Sequence, residues 1–224
     1  MAESDAWHAR VAGGRWFSRI SPELQGFLLG AARTRRLAAG QRLFARGDPA
    51  DGLYCVVDGA LRVSGIAESG KEALLVYLEP PNWFGEIALF DGGPRTHDAW
   101  AVDACTLLHV PRAALQGLLD EHPRHWRELA LLLADKLRLT FVALEALALM
   151  PAPQRVRQRL AMIADGYGEG RPGTLIRIPQ EELAQMVALS RQTTNQILKE
   201  LAAQGAVRLH RGGIEVLDPA ALRA

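Results

Sequence analysis

The chain is 224 residues long and 49% hydrophobic, which fits two globular domains of ordinary size. No apolar run approaches the ~18 residues of a membrane span, and residues 1–11 lack the apolar core of a signal peptide, so a cytoplasmic location without membrane attachment is expected. The formal net charge of +1 hides an asymmetry: residues 1–150 carry 16 Lys/Arg against 18 Asp/Glu, while residues 151–224 carry 10 against 7, a basic tail that permits nucleic-acid binding.

In chain order, Ser21-Pro22-Glu23 supplies an N-cap, a proline at the first helical position and an acid in the first turn, predicting a helix to about Ala32. From Leu37 to Val110 the texture changes. Short β-prone runs at 41–46, 53–57, 60–66, 73–78, 99–102 and 106–110 alternate with the turns Gly47-Asp48, Asp58-Gly59 and Ser69-Gly70. Turn signals at this spacing predict an antiparallel sandwich or barrel. Pro111 then opens a short helix. Cys55 and Cys105 stand alone, as buried thiols or a disulfide, and have no metal-ligand spacing.

One segment, 84–96, breaks the strand texture. It starts with Gly85, where bare backbone N–H groups at a helix start can approach an anion, and ends with Arg95-Thr96, a fork of donors beside a hydroxyl that suits a phosphate. Glu86 repels phosphate but accepts hydrogen bonds from sugar hydroxyls. The set could hold a nucleotide by both ends. An Arg95–Glu86 salt bridge that pins the loop is the other reading of the same residues.

Residues 124–150 contain no glycine and only the terminal region meets a proline, at Pro151. Trp126, Ala130, Leu133, Leu137, Thr140, Leu144 and Leu147 follow the alternating four-three spacing of a heptad seam. Leu129, Leu131, Leu132 and Phe141 widen the apolar surface beyond one seam. That pattern suits a helix gripping its own domain on one side and a twin helix on the other. A single buried core helix is the plainer alternative. The change of composition on either side favours a dimer axis between two domains.

Pro151-Ala152-Pro153 predicts a break and hinge. A helix follows from Gln154 to Tyr167, then a loop marked by Gly168, Gly170, Pro172 and Gly173, then a strand at 174–178. An acidic helix start at 179–182 opens a helix to about Val187, with Leu183, Met186 and Val187 inward. Ser190 caps a second helix, 190–203. Thr194, Ile197, Leu198 and Leu201 form its inward face, while Arg191, Gln192, Asn195 and Gln196 present base-bonding groups outward. Runs at 207–209 and 214–216 around Arg211-Gly212-Gly213 predict a wing. This is a winged helix-turn-helix layout. Nothing in the chain resembles a nucleophile–base pair, so no enzyme is expected.

Gly47-Asp48, Leu53-Tyr54, Asp58-Gly59, Phe84-Gly85-Glu86-Ile87-Ala88-Leu89 and Gly92-Gly93-Pro94-Arg95-Thr96, followed by the long helix and Leu189-Ser190-Arg191-Gln192-Thr193-Thr194, resemble the cyclic-AMP receptor protein and FNR (Crp/Fnr) family over residues 17–216. The resemblance implies an α+β fold. Residues 1–123 would form a cyclic-nucleotide-binding jelly-roll β-barrel, 124–150 the dimerisation helix and 151–224 the winged helix-turn-helix. Gly85, Arg95 and Thr96 would then meet a cyclic phosphate, Glu86 the ribose hydroxyl, and Thr140 the base, with Lys136 in place of an arginine. Ser190, Thr193 and His210 would contact phosphates of double-stranded DNA, and RNA polymerase would be a protein partner. His97 and Phe141 replace the family's alanine and serine around the ligand, so the effector stays open between cyclic AMP, cyclic GMP and another molecule. No haem is expected, because the CO-sensing branch's histidine near Ile87 is missing. Two cysteines are too few for an iron–sulfur cluster. The two classes compared are a DNA-binding regulator and a nucleotide-binding module that docks on a protein. Polar Arg191, Gln192 and Gln196, where a docking helix would carry apolar anchors, favour the first.

Overall fold

The computed structural model describes residues 2–66, 68, 72–168 and 175–223. The Ser69-Gly70 turn, the expected loop residues Gly170, Pro172 and Gly173, and Thr174 at the start of the expected strand lie outside these. Contacts divide the chain into two units, Met1–Gly65 with Leu75–Leu137, and Ile66–Leu74 with Arg138–Ala224.

The first unit opens with α1 (Ala2–Ala12), a one-turn 3-10 helix at Phe17–Arg19 and α2 (Pro22–Ala31). Ser21 caps α2 as its sequence requires, its hydroxyl accepting from the Leu24 N–H at 3.3 Å. Eight strands follow: β1 (Arg33–Leu37), β2 (Arg42–Phe44), β3 (Gly52–Asp58), β4 (Leu61–Ile66), β5 (Glu72–Leu78), β6 (Trp83–Phe84), then after α3 (Ile87–Asp91) β7 (Asp98–Ala101) and β8 (Cys105–Pro111). They form two four-stranded sheets, ordered β1-β8-β3-β6 and β2-β7-β4-β5. Leu37, Leu43, Tyr54, Leu61, Leu78, Phe84, Ala99 and Leu107, one from each strand, share a core between them. This is the jelly-roll sandwich.

The burial of β3 explains its composition. Leu53, Cys55 and Val57 face a second core shared with Trp16, Phe17, Leu24, Leu28, Leu115 and Leu129, while Tyr54 and Val56 face the first. A strand covered on both faces loses polar alternation and reads as a continuous apolar run. The same geometry separates the cysteines: Cys55 faces the helical side and Cys105 the sandwich interior, and both are buried free thiols. Burial raises the Cys105 thiol to about 11.

α4 (Arg112–Glu121) starts behind Pro111, and α5 (His125–Leu149) runs 25 residues as one helix. Its first turns are anchored. Leu129 and Leu132 are buried, the Trp16 indole N–H donates to the Glu128 carbonyl at 2.8 Å, and the Glu128 carboxylate accepts from the Ser21 N–H at 2.5 Å and pairs with His125 Nδ1 at 2.5 Å.

In the second unit the proline pair leaves no extended linker. Pro151 is itself the cap of α6 (Ala152–Ala164), since proline needs no hydrogen bond in the first turn. The helix expected to reach Tyr167 stops at Ala164, and Tyr167 turns left-handed at φ 53°. Then come β9 (Leu175–Ile176), α7 (Gln180–Met186), α8 (Arg191–Ala203), β10 (Val207–His210) and β11 (Gly213–Val216), with the sheet order β10-β11-β9. Val156, Leu160, Leu183, Leu198, Leu201 and Val216 are among its buried residues.

Candidate ligand cassette and nucleic-acid interface

The cassette is built where β6 leaves the sheet. Gly85 takes φ +96°, and a Cβ there would stand 2.6 Å from Arg95 Nη1, so only glycine lets the guanidinium lie against this backbone. The helix start expected behind it is present: Glu86 is the N-cap of α3, which is only five residues long and so carries little dipole.

Arg95 is the buried centre, its side chain 4% exposed. Nη2 donates to Asp51 Oδ1 at 2.6 Å and to the Gly52 carbonyl at 2.9 Å, and Nη1 reaches the Gly85 carbonyl at 3.4 Å. The cation lies over Phe44 at 4.5 Å and Tyr54 at 5.5 Å from the ring centroids. Its Nε is buried without a hydrogen-bond partner among the described residues. Asp51 accepts from the Tyr54 hydroxyl at 2.5 Å, and Arg35 donates to that hydroxyl at 3.0 Å. Burial alone would raise the Asp51 carboxyl, but hydrogen bonds from Tyr54 and Arg95 and the charges of Arg95 and His109 outweigh it and hold it below its ordinary value. Burial and the Asp51 carboxylate push the Tyr54 phenol up.

Glu86, also buried, pairs with Lys136 of α5 at 2.7 Å. Arg95 and Glu86 therefore take different partners and not each other. Thr96 is exposed, its hydroxyl 3.0 Å from His97 Nδ1. Burial first, then the Arg46 charge, lowers the His97 pKa below its ordinary value against the pull of Asp98. Thr140 lies exposed on α5. Asp51 was missing from the sequence-derived set. It stands 44 residues before Arg95 at the mouth of a strand, where an acid is commonplace, and no spacing rule links the two.

On α5 the seam divides. Trp126 packs on Phe90 at 5.3 Å, and Ala130 and Leu133 are half-buried. Leu137, Phe141, Leu144 and Leu147 are exposed at 50%, 60%, 59% and 40%.

The second site is the N-terminal end of α8. Ser190 caps it, its hydroxyl accepting from the Thr193 N–H at 3.0 Å and bonding the Thr193 hydroxyl at 2.8 Å. Thr194, Ile197, Leu198 and Leu201 are buried, which turns Arg191, Gln192 and Gln196 outward, with Asn195 half-buried beside them. Gln196 donates to Glu200 at 2.9 Å. In the wing, Arg208 and His210 both bond Glu215 at 3.0 Å, and His210, Arg208 and Arg211 are exposed. Among the described residues no group of His, Cys, Asp and Glu could hold a metal, and no helix is long and apolar enough to cross a membrane.

A sandwich bearing a phosphate-type cassette, one long helix and a winged helix-turn-helix with a polar outward face define a class: a DNA-binding regulator with a ligand-sensing domain. Comparison with known proteins agrees. The cyclic nucleotide-binding domain profile matches residues 34–122, and the Crp-like helix-turn-helix domain profile matches residues 154–224. A CRP-like cAMP-activated global transcriptional regulator of Mycobacterium tuberculosis is 34% identical over 182 residues, 80% of this chain and 81% of its own. The cyclic AMP receptor protein of Thermus thermophilus is 33% identical over 213 residues, 95% and 96% of the two chains. The crystal structure of the Thermus thermophilus catabolite activator protein superposes with a TM-score of 0.52 at 32% identity, covering 93% and 96%. FixK2 of Bradyrhizobium japonicum shares the fold at a TM-score of 0.75 and 20% identity, covering 86% and 96%. The chain belongs to the Crp/Fnr family of transcription regulators, a family of DNA-binding proteins and not of enzymes.

Proposed function

We propose that the protein acts in the cytoplasm as a homodimer joined along α5, reads a palindromic operator with α8, and passes a cyclic-nucleotide signal from the Gly85–Thr96 cassette to transcription by RNA polymerase. The observation that carries the reading is the outward set Arg191, Gln192 and Gln196 on a capped helix whose opposite face is buried. In this reading Arg191, Gln192, Asn195 and Gln196 meet base edges, and Ser190, Thr193 and His210 meet phosphates. Gly85, Arg95 and Thr96 take the cyclic phosphate, Glu86 and Lys136 the ribose side, and Thr140 the base. Trp126, Ala130, Leu133, Leu137, Thr140, Leu144 and Leu147 form the dimer seam. Relatives described as cAMP-activated support a cyclic nucleotide as the ligand class. The test is an unbiased selection of random duplex DNA by the purified protein, with and without cyclic AMP and cyclic GMP. Enrichment of an inverted repeat, strengthened by one nucleotide, is the expected result. Binding without any enriched sequence overturns the operator reading, and identical enrichment in every arm overturns the cyclic-nucleotide input.

A further inference from the structure

The cassette arginine already holds an anion, and that anion belongs to the chain. Of the five guanidinium N–H groups, Asp51 and the Gly52 carbonyl use both on Nη2, and the Gly85 carbonyl uses one on Nη1. The buried Nε–H has no partner. Nε–H and Nη2–H share one edge of the guanidinium, the edge that grips a phosphate with two parallel bonds. Half of that fork is open and half is closed by Asp51 and Gly52.

The two side chains differ in exposure: Arg95, 4% exposed, is packed against Phe44 and Tyr54, whereas Asp51 is 47% exposed. We propose that Asp51 is an internal competitor for the cassette: it occupies Arg95 in place of the ligand's phosphate, and a phosphate must displace it to close the fork. The proposal rests on the reading of the cassette as a cyclic-nucleotide site. Asp51 is charged at neutral pH, because the Tyr54 hydroxyl and Arg95 hold its carboxylate in the ionised form against burial. Arg35 at 3.7 Å and His109 at 3.8 Å add to its anchorage. Binding a phosphate therefore exchanges one charge-assisted hydrogen bond for another, with little net gain, and the wild-type protein is set to respond only to high ligand concentrations.

Calorimetry with cyclic AMP and cyclic GMP on the full-length protein tests this. Asp51→Asn keeps the size of the side chain and an oxygen to accept from Tyr54 but removes the competing charge. It should bind about tenfold more tightly or better, the equivalent of one charge-assisted hydrogen bond. Asp51→Ser should do the same, and guards against a fault peculiar to the amide. Asp51→Glu, which retains the charge, should stay near wild type. If the wild type binds and Asp51→Asn and Asp51→Ser bind equally or more weakly, Asp51 positions Arg95 for the ligand and the competitor proposal is overturned, while the cassette reading stands. If neither wild type nor variants bind a cyclic nucleotide at millimolar concentration, both fall.

Discussion

Ala188 sits at φ 52°, the left-handed region in which a Cβ costs about 1–2 kcal/mol. It does so because α7 ends in a Schellman arrangement: Ala188 N–H bonds the Gln185 carbonyl at 3.2 Å and Leu189 N–H the Ala184 carbonyl at 3.0 Å. That geometry lets the chain reverse into the Ser190 cap of α8. Glycine is the residue the position favours, and the strain it removes exceeds what its looser unfolded chain gives back. Ala188→Gly should therefore stabilise the second unit by roughly 0.5–1 kcal/mol in chemical denaturation. Unchanged or lower stability would show that Ala188 is not strained. The Ser190 cap to which this turn leads was legible in the sequence, as the residue that opens the second helix. Asp51 was not. The partners of Arg95 are set by how β3 and the cassette approach in three dimensions, and Glu86, the nearer acid in sequence, goes to Lys136 instead.

At the scale of elements, periodicity carried most of the information. The continuous apolar run of β3 and the seam of α5 were both visible, because burial on two faces and a four-three repeat each leave a distinct pattern. β1 was not visible. Three of its five residues are arginine, and only Leu37 at its end is buried, so its place depends on pairing with β8 and not on its own β propensity. The two-residue β6 is too short to carry any period. The helix α5 shows how one helix can carry two apolar surfaces. Leu129 and Leu132 fill the core of the first unit, while Leu137, Phe141, Leu144 and Leu147 stay exposed further along. Burying each such side chain is worth about 2 kcal/mol, so a dimer with two copies of Leu137→Glu should be weakened by ~4 kcal/mol, about a thousandfold in dissociation constant. Sedimentation at micromolar concentration should find a wild-type dimer and a Leu137→Glu monomer of unchanged helical content. A monomeric wild type, or a variant that remains dimeric, would remove α5 as the axis.

For the whole molecule, the charge balance fits a division of labour. Residues 1–150 are slightly acidic, as suits a sensor with no need of polyanions, and residues 151–224 carry the basic excess. A two-fold dimer that binds DNA through α8 should read an inverted repeat whose half-sites lie about one helical turn, ~34 Å, apart. Arg191, exposed in the first turn of α8, can fork onto O6 and N7 of a guanine. Gln192 beside it offers an amide, which pairs with an adenine edge and lacks the purely acceptor character that would favour cytosine. Gln196, one turn on, is drawn to Glu200 and must leave it to reach a base directly. The expected operator thus keeps one guanine per half-site read by Arg191, with an adenine favoured beside Gln192. Arg191→Ala should relax selection at that guanine and cost about 1–3 kcal/mol per half-site, whereas Thr193→Ala, at its proposed phosphate contact, should weaken all sequences alike. Parallel selections with the wild type and both variants separate the two roles. A motif unchanged by Arg191→Ala would mean that specificity is read elsewhere, by another residue or by the shape of the DNA.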